Sequence, residues 1–377
     1  MLEISPYRLE KVGFQGVNTS LFEICDLSSI LEYQESSGFP IILDIGMLAD
    51  TLGVRKRTVT WLRKDKNNQY KFWTIPKKGK ANKGKFRKLQ EPRDRMMHVQ
   101  KQIKRKILEP AENVLPDYIT GFRKGMKTRD TAKVHAGKKI VVTLDLRHYF
   151  NSIKQKHLNK LFLEHFKYPD QVARYLSELC TFKFFVPEGA PTSPSISNLI
   201  GYFYFDEALR KIAEEAEFVY TRYADDITIS TDKDFKKTEH TDKDGNVYVK
   251  SEIDDVINKM SDILSSNGFK LNTRKTKVYR TPARQYVLGM VVNEKPDLLR
   301  RKREMLKCIL HNMSQNSIAE EAAKTDRTEI QFLEWIYGQI NYFIQVNEIK
   351  GKKLKEKFDF ILKSKGYNEL ITEIPIL

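Results

Sequence analysis

Two adjacent aspartates, Asp225 and Asp226, stand in the stretch FVYTRYADDITIS, residues 218–230. Apolar and β-branched residues precede the pair, and an alternation of apolar and hydroxyl residues follows it, which predicts a strand, a tight turn and a second strand. Neighbouring carboxylates repel each other and aspartate is a poor strand former, so the pair needs a compensating partner such as a divalent cation. A solvated hairpin tip is the alternative, because aspartate is also common in turns.

A third acid follows a different predicted strand. The run IVVTL, residues 140–144, is short, continuous and apolar, as expected for a central strand that is covered on both faces. Asp145 comes directly after it, and a carboxylate at the end of a buried strand is costly unless it is paired or bound to metal. Asp145 is therefore a candidate to meet Asp225 and Asp226, although its place before RHYFNSI also suits a helix N-cap.

The composition indicates a polyanionic partner. The chain has 377 residues, with 66 Lys and Arg against 49 Asp and Glu, and a net charge of +17. Nucleic acid or an anionic membrane would complement that charge. No apolar stretch approaches the roughly 18 residues of a spanning helix, and the first residues contain no signal-peptide core. Nucleic acid is therefore the expected partner, and we do not expect the protein to bind a membrane.

The cysteines indicate a reducing compartment. Cys25, Cys180 and Cys308 are far apart and odd in number. This usage argues against a disulfide framework and against a zinc cluster. We therefore expect reduced thiols in a cytoplasmic protein.

Basic residues concentrate between positions 71 and 106, where fourteen Lys or Arg accompany two acids. Aromatic residues interleave with them, and two glycines open the loop PKKGKANKGKFRKLQEP. The pattern favours a hairpin whose cations grip phosphates, although a solvated loop is the usual fate of a lysine run. A second basic turn, ITGFRKGMKT, follows at residues 119–128. The candidate nucleic-acid contacts in these two segments are Lys77, Lys78, Lys85 and Arg123.

The remaining pattern mixes helices and strands. Helices are predicted from Leu43, over 96–108, from Tyr149, over 253–266 and through most of 296–377. Strands are predicted over 70–75, over 285–293, and in NGFKLNTRKTKVYR, where one strand would carry Lys270, Asn272 and Lys275. A polar hairpin is expected to turn at Asp244-Gly245.

The loop KFFVPEGAPTSPSISNLI, residues 183–200, leads into an apolar helix. Ser193 is expected to be the N-cap of that helix, with Pro194 at the first helical position. The bare backbone at Gly189 and Ala190 would let a ligand approach closely.

Five ordered motifs resemble the palm motifs of reverse transcriptases, most closely those encoded by bacterial retrons. They are IVVTLDLRHYF, PEGAPTSPSISNL, TRYADDITIS, GFKLNTRKT and YVLGMVVN. The resemblance covers about residues 43–295, and WIYGQINYF in the tail is similar to the thumb helix. It implies an α+β right-hand polymerase with an N-terminal extension (1–42), fingers (43–140), an antiparallel palm sheet (141–295) and a helical thumb (296–377).

The resemblance also implies roles for single residues. Asp145, Asp225 and Asp226 would hold two Mg²⁺ ions, with the backbone carbonyl of Leu146 completing the shell. Lys275 would protonate the leaving pyrophosphate, unless it is an ordinary surface lysine.

Further implied positions bind the substrates. Arg87 and Lys88 would clamp the triphosphate of a dNTP. Phe150 would exclude a ribose 2′ hydroxyl, with a core aromatic as the equal alternative. Other residues would form the nucleotide site and the template–primer floor or contact nucleic acid: Gly189, Ser193, Pro194, His135, Arg300 and Arg301.

Three departures separate this chain from the usual retron motifs. Retron enzymes are marked by Asn-Ala-x-x-His, where this chain has Thr131, Ala132 and His135, and by Val-Thr-Gly, where the middle residue is Leu288. The usual Gln of the Pro-x-Gly loop is Glu188, a charge change close to the substrate. These departures concern the subfamily and leave the polymerase motifs intact.

A retron enzyme is expected to bind a structured cognate non-coding RNA, to prime from a guanosine 2′ hydroxyl and to make RNA-linked single-stranded DNA (msDNA). The resemblance implies a role in anti-phage defence with an effector protein encoded alongside. Three alternatives are another bacterial defence or intron-derived reverse transcriptase, a non-catalytic RNA-binding scaffold that holds a toxin partner inactive, and an RNA-templated RNA polymerase. The intact acids weigh against the scaffold, and Phe150 weighs against the RNA polymerase.

Overall fold

The computed structural model describes residues 24–64, 67–76, 84–235, 237–241 and 247–367. Lys77, Lys78 and the expected Asp244-Gly245 turn lie outside the described residues, as does most of the N-terminal extension. The helices are α1 Ile24–Ser36, α2 Ile45–Leu52, α3 Lys56–Lys64, α4 Asp94–Ile103, α5 Thr128–Val134, α6 Tyr149–Ser152, α7 Gln155–Lys160, α8 Asp170–Leu179, α9 Ser193–Gly201, α10 Glu207–Glu215, α11 Glu252–Ser266, α12 Arg300–Gln315, α13 Ile318–Ala323, α14 Glu329–Val346 and α15 Glu348–Ser364. The strands are β1 Tyr70–Pro76, β2 Phe86–Pro92, β3 Ile140–Asp145, β4 Val219–Tyr223, β5 Asp226–Thr231, β6 Lys237–Thr241, β7 Val247–Ser251, β8 Lys277–Arg280, β9 Tyr286–Val287, β10 Met290–Val291 and β11 Asp297–Leu298.

An antiparallel sheet of order β4-β5-β3-β8 forms the centre of the molecule. The apolar run 140–144 is an inner strand of this sheet, as its composition predicts, because an inner strand is covered by neighbours and by packing on its faces. Ile140, Val141, Val142 and Leu144 are all buried. The predicted antiparallel palm sheet is therefore present.

The basic segment forms the predicted hairpin. Strands β1 and β2 pair antiparallel, from Tyr70 opposite Pro92 to Pro76 opposite Phe86. Most of its side chains face solvent, including Phe72, Trp73 and Phe86. Trp73 donates its indole N–H to Glu91 Oε2 at 2.6 Å, so the aromatic and acidic residues of the hairpin brace each other across the strands.

Two strand predictions are wrong in detail. The strand β8 begins only after Lys270, Asn272 and Lys275. The last two form a turn instead, in which the Lys275 N–H donates to the Asn272 carbonyl at 2.9 Å. The stretch 285–293 is a short hairpin of β9 and β10 rather than one strand. Its turn is made by Leu288 and Gly289, both with positive φ. A run of apolar residues does not itself show where such a turn reverses the chain.

The buried apolar residues form two clusters. The larger one runs from Phe39 to Phe269 and packs the helices around the central sheet. The second gathers strands β9 to β11 and helices α12 to α15, and it contacts the central sheet through Val141 and helix α5 through Ala132. The C-terminal helices therefore have a core of their own, which packs against the central sheet. No described helix has the length and hydropathy that crossing a membrane requires.

Candidate active site

The three predicted acids meet at one end of the central sheet. Strand β3 pairs with β5 so that Asp145 lies directly opposite Asp226. Asp225 occupies the turn between β4 and β5, and its backbone carbonyl accepts a hydrogen bond from the Leu146 N–H at 2.9 Å. Two residues that are eighty positions apart are thus neighbours because antiparallel pairing aligns a strand end with a strand start.

A buried ion pair supports the turn that carries Asp225. Arg222 is completely buried and binds Asp206 through Nε and Nη2, each 2.7 Å from a carboxylate oxygen. The guanidinium also donates to the carbonyl of Ala224 at 3.2 Å, and Ala224 has a left-handed φ of 56°. Tyr220 donates its hydroxyl to Asp206 at 2.7 Å, which satisfies the carboxylate further. The bidentate fork of arginine suits this closed network.

Burial and mutual repulsion act on the acids. The pKa of Asp226 is raised to about 7, chiefly by desolvation and then by the neighbouring carboxylates Asp225 and Asp145, while Lys275 acts in the opposite direction. Burial likewise raises the pKa of Asp225, with Asp145 adding to the effect and Lys275 and Arg87 opposing it. Carboxylates whose pKa is raised in this way are expected where a cation is to be bound, because the cation offsets both desolvation and repulsion.

Lys275 holds the cationic position beside Asp145 in this structure. Its ammonium lies 2.5 Å from Asp145 Oδ1, and Asn272 donates its amide to Oδ2 at 3.1 Å. Across the described ranges, no three His, Cys, Asp or Glu side chains are already arranged as a metal cage. The donor set nevertheless fits hard divalent cations: three clustered carboxylates, one of them compensated by a side-chain ammonium, present oxygen ligands only.

A cleft of about 510 Å³ adjoins these acids. Arg87 and Lys88 of the β1–β2 hairpin line it, as do Asp145, Asp225 and the half-buried ring of Phe150. Leu146 and Lys275 line it too. The structure thus gathers most of the predicted nucleotide-binding and catalytic side chains at one cleft that is rich in cations, a setting that attracts a triphosphate. Asp226 instead lines an adjoining pocket of about 570 Å³, which shares Asp145 and Lys275 with the cleft.

The loop at Gly189 is fastened to the hairpin. The Gln90 N–H donates to the Glu188 carbonyl at 2.7 Å, and the Glu188 N–H donates to the Gln90 side chain at 3.2 Å. Gly189 has a φ of 112°, and a Cβ there would lie 3.2 Å from the Gln90 carbonyl oxygen. Only glycine suits this conformation and this approach. Glu188 also lies 3.5 Å from Arg87 Nε, so the departure from glutamine pairs with a cation of the cleft.

His135 is placed in the core rather than on a nucleic-acid surface. Its side chain is fully buried, and its two ring nitrogens lie 2.7 Å from the hydroxyls of Ser230 and Thr221. Burial lowers its pKa to about 3. A neutral imidazole with both nitrogens occupied ties α5 to β4 and β5, so the predicted contact with nucleic acid is wrong and its role is structural.

Ser193 is also internal. It is the first residue of α9 rather than its N-cap, with Thr192 before it, and its hydroxyl donates to the Pro187 carbonyl at 2.8 Å. It therefore holds the PEGAP loop in shape and does not itself face the cleft.

The other predicted nucleic-acid contacts differ in exposure. Arg123 donates to the carbonyls of Pro116 and Ile119 and lines a separate pocket of about 600 Å³. Both hydrogen bonds come from Nη1, and Arg123 does not line the cleft next to the acids, so its position does not support a phosphate contact at that cleft. Lys85 is exposed on the hairpin, and Arg300 and Arg301 are exposed at the start of α12. None of these three lines the cleft next to the acids.

The sequence interpretation missed the residues beneath the site. Arg222, Asp206 and Asn198 are fully buried polar residues, and Asn198 donates its amide to the Gly121 carbonyl at 2.7 Å. The available signal was Arg222 itself, because a charged side chain in a strand that is predicted to be buried needs a buried partner. Its partner Asp206 lies sixteen residues earlier on a helical segment and carries no pattern of its own.

A family model matches most of this chain. The family model described as reverse transcriptase (RNA-dependent DNA polymerase) matches residues 75–333. Among solved structures, the apo telomerase of Candida tropicalis is 13% identical, with a TM-score of 0.44 over 78% of this chain and 60% of that one.

Curated relatives are retron enzymes. The retron Ec86 reverse transcriptase of Escherichia coli is 23% identical over 336 residues, which cover 88% of this chain and 94% of that protein. The retron Se72 reverse transcriptase of Salmonella heidelberg is 30% identical over 205 residues, 54% of this chain and 52% of the relative. The family uses an RNA template, dNTPs and divalent metal ions. The chain therefore belongs to the reverse transcriptase family, as an RNA-directed DNA polymerase of the retron type.

Proposed function

We propose that this enzyme reverse transcribes a structured cognate non-coding RNA into RNA-linked single-stranded DNA. Its retron relatives support this, since the similarity to the E. coli Ec86 enzyme extends over nearly the whole length of both chains. Priming starts from the 2′ hydroxyl of a guanosine in that RNA. The product, msDNA, serves anti-phage defence together with an effector protein encoded alongside.

The observation that carries the catalytic part is the meeting of Asp145, Asp225 and Asp226. We assign to these carboxylates and to the Leu146 carbonyl the binding of two Mg²⁺ ions. Mg²⁺ held by these carboxylates would supply activation of the attacking hydroxyl and neutralisation of the triphosphate charge. The carboxylates would set where the ions bind, and the raised pKa of Asp225 and of Asp226 supports this assignment, because a bound cation would offset the desolvation and repulsion that raise them.

Cationic side chains of the cleft act on the triphosphate. Arg87 presents a planar guanidinium suited to bidentate phosphate binding, and Lys88 adds a point charge. Burial lowers the pKa of Lys275, but the hydrogen bond to Asp145 and the charges of the three acids raise it above its ordinary value, so its ammonium stays protonated. We assign to it the protonation of the leaving pyrophosphate. Phe150, on the wall of the cleft, selects the sugar by excluding a 2′ hydroxyl.

The metal assignment is tested by charge-neutral substitutions. Asp225→Asn and Asp226→Asn should abolish Mg²⁺-dependent DNA synthesis while RNA binding is largely kept, because the amide preserves size but not charge. Asp234→Asn is the matched control, since Asp234 is an exposed acid that pairs with Lys139 away from the cleft. Synthesis measured with a labelled primer on an RNA template would refute the assignment if either active-site variant retained it.

The nature of the product is tested on nucleic acid extracted from the purified protein. A retron product should yield one species that is shortened by RNase and by DNase separately, because RNA and DNA are covalently joined in it. Digestion by only one of the two nucleases would contradict the proposed msDNA and would leave the polymerase assignment standing.

A further inference from the structure

A tight turn precedes the loop PEGAP, residues 187–191, and its two central residues are types that rarely adopt the backbone conformation found there. Phe182 and Phe185 exchange backbone hydrogen bonds of 2.9 and 3.1 Å, so Lys183 and Phe184 form a two-residue hairpin turn. Both have left-handed φ values, 48° and 65°. Asn and Gly are favoured at such positions, since a larger side chain crowds the left-handed backbone. Strained residues of this kind concentrate at functional sites.

The side chain that this turn presents faces solvent. Phe184 is 74% exposed, so burial in the core does not account for an aromatic residue there. Its ring lines an open pocket of about 490 Å³ together with Lys154, Lys156 and Arg174. No residue of this pocket also lines the cleft next to the acids. The turn therefore holds an aromatic ring at the wall of a second, separate pocket.

Positive charge lies on the turn and on the pocket wall beside it. The Lys154 ammonium lies 5.7 Å from the ring centre of Phe185, and the Lys183 ammonium lies 5.6 Å from that of Phe182. Glu178, an acid that lines the pocket, is already paired with Arg63. The local charge is therefore positive, which suits a phosphate-bearing ligand.

We propose that this pocket binds an unpaired base of the RNA, with the base stacked on Phe184 and the adjoining phosphates on Lys154, Lys156 and Arg174. Every base has an aromatic face, so stacking on a ring holds an unpaired nucleotide of any identity. The pocket volume lies in the range of small-molecule sites, roughly 300–1,000 Å³. The inference rests on the proposed binding of a structured RNA. It adds a place where one segment of that RNA is anchored while another is copied.

The test compares two RNA hairpins of equal length, one fully paired and one with a single bulged 2-aminopurine. Binding is measured by fluorescence anisotropy in EDTA without dNTPs, so that catalysis plays no part. The wild-type protein should bind the bulged hairpin about tenfold more tightly, since stacking of one base on an aromatic ring has that order of effect. Phe184→Leu should lose this preference, and Phe184→Tyr should keep it together with the quenching of the 2-aminopurine.

A second variant separates ligand binding from a structural role. Lys183→Asn combined with Phe184→Gly installs the residues that the turn favours, so the protein should melt at a higher temperature while losing the preference for the bulge.

Several results would overturn the inference. They are the absence of a preference in the wild-type protein, a preference retained in Phe184→Leu, an equal loss of affinity for both hairpins, and a lower melting temperature of the double variant. A pocket that docks an acidic protein instead would show the first of these. Wild-type protein that binds the bulge but makes no DNA would contradict the catalytic proposal and not this one.

Discussion

A single carboxylate, Asp226, shows the conflict between stability and function at this site. It is exposed at the start of β5, yet partial desolvation and the neighbouring carboxylates Asp225 and Asp145 raise its pKa to about 7. An asparagine at position 226 would avoid that repulsion. The carboxylate is therefore explained by a function, the binding of a cation, and not by stability. Lys275, 2.5 Å from Asp145, offsets only part of the negative charge.

Phe150 provides a prediction about sugar selection. Its half-buried ring lines the cleft and lies 6.3 Å, centre to centre, from the ring of Phe122. Phe150→Ala should admit ribonucleotides, with a fall of about tenfold or more in the discrimination between dNTPs and rNTPs, because the methyl group leaves room for a 2′ hydroxyl. Single-nucleotide incorporation with both substrates measures this ratio. An unchanged ratio would return Phe150 to a packing role.

His135 provides a prediction about acid stability. Its pKa is about 3 in the folded protein against 6.5 in the unfolded chain, so the unfolded chain binds more protons between these values. Folding stability should therefore fall as the pH falls below 6.5, by about 2 kcal/mol between pH 7 and pH 5 from this residue. Urea unfolding at both pH values measures the loss. His135→Gln should be less stable at pH 7 but should show a flatter pH dependence, and an equally steep one would contradict the assignment.

At the scale of the elements, the β4–β5 turn depends on a layer beneath it. Arg222 reaches from β4 to Asp206 and also donates to the Ala224 carbonyl, so helix, strand and turn share one guanidinium. Breaking such a buried pair by removing one partner is expected to cost about 3–5 kcal/mol. The position of Asp225 is thus set by residues that never touch a substrate.

Gly201 leaves the space that the buried Arg222 guanidinium occupies. A Cβ there would lie 2.3 Å from Arg222 Nη2, whereas a Cβ on Gly338 of α14 meets nothing within 4 Å. Gly201→Ala should therefore destabilise the protein and reduce DNA synthesis, since Arg222 must move. Gly338→Ala should raise the unfolding free energy by about 0.5–1 kcal/mol, the usual gain in a helix. Thermal melts of the two variants give the comparison, and a neutral Gly201→Ala would show that Arg222 has room to shift.

The whole molecule combines a strongly positive chain with two apolar clusters. The clusters divide the structure into the helices around the central sheet and a C-terminal helical part. Basic residues with exposed side chains occur on both, at Lys85 of the β1–β2 hairpin and at Arg300 and Arg301 of α12. A nucleic acid that contacts these basic residues would bridge the two parts of the structure. We therefore expect many phosphate contacts, most of them outside the catalytic cleft.

Salt dependence tests this distribution of charge. RNA affinity should fall steeply with ionic strength, and Arg300→Ala combined with Arg301→Ala should reduce the slope of log K against log salt by about 1–2, because each lost phosphate contact removes about 0.7–0.9. Lys138→Ala with Lys233→Ala is the control, since both lysines already pair with acids. Filter binding from low to high salt measures the slopes. A flat response in the wild-type protein would remove the proposed phosphate contacts.

The sequence alone determined the family motifs, the three acids and the strands on which they stand. Those features follow from local pattern: apolar runs that end in carboxylates, a basic hairpin, and turn residues at fixed spacing. The mixed α+β architecture and the inner position of strand 140–145 could be predicted for the same reason.

Only the tertiary structure decided which polar residues face the cleft and which are buried. His135 and Ser193 look like substrate contacts in the chain, yet both are satisfied internally, while Arg222 and Asp206 lie unmarked in the sequence and support the catalytic turn. The physical reason is that a polar side chain is directed by the partner that satisfies it, and such partners are distant in sequence. Local pattern places a residue on an element, and long-range pairing then determines what that residue touches.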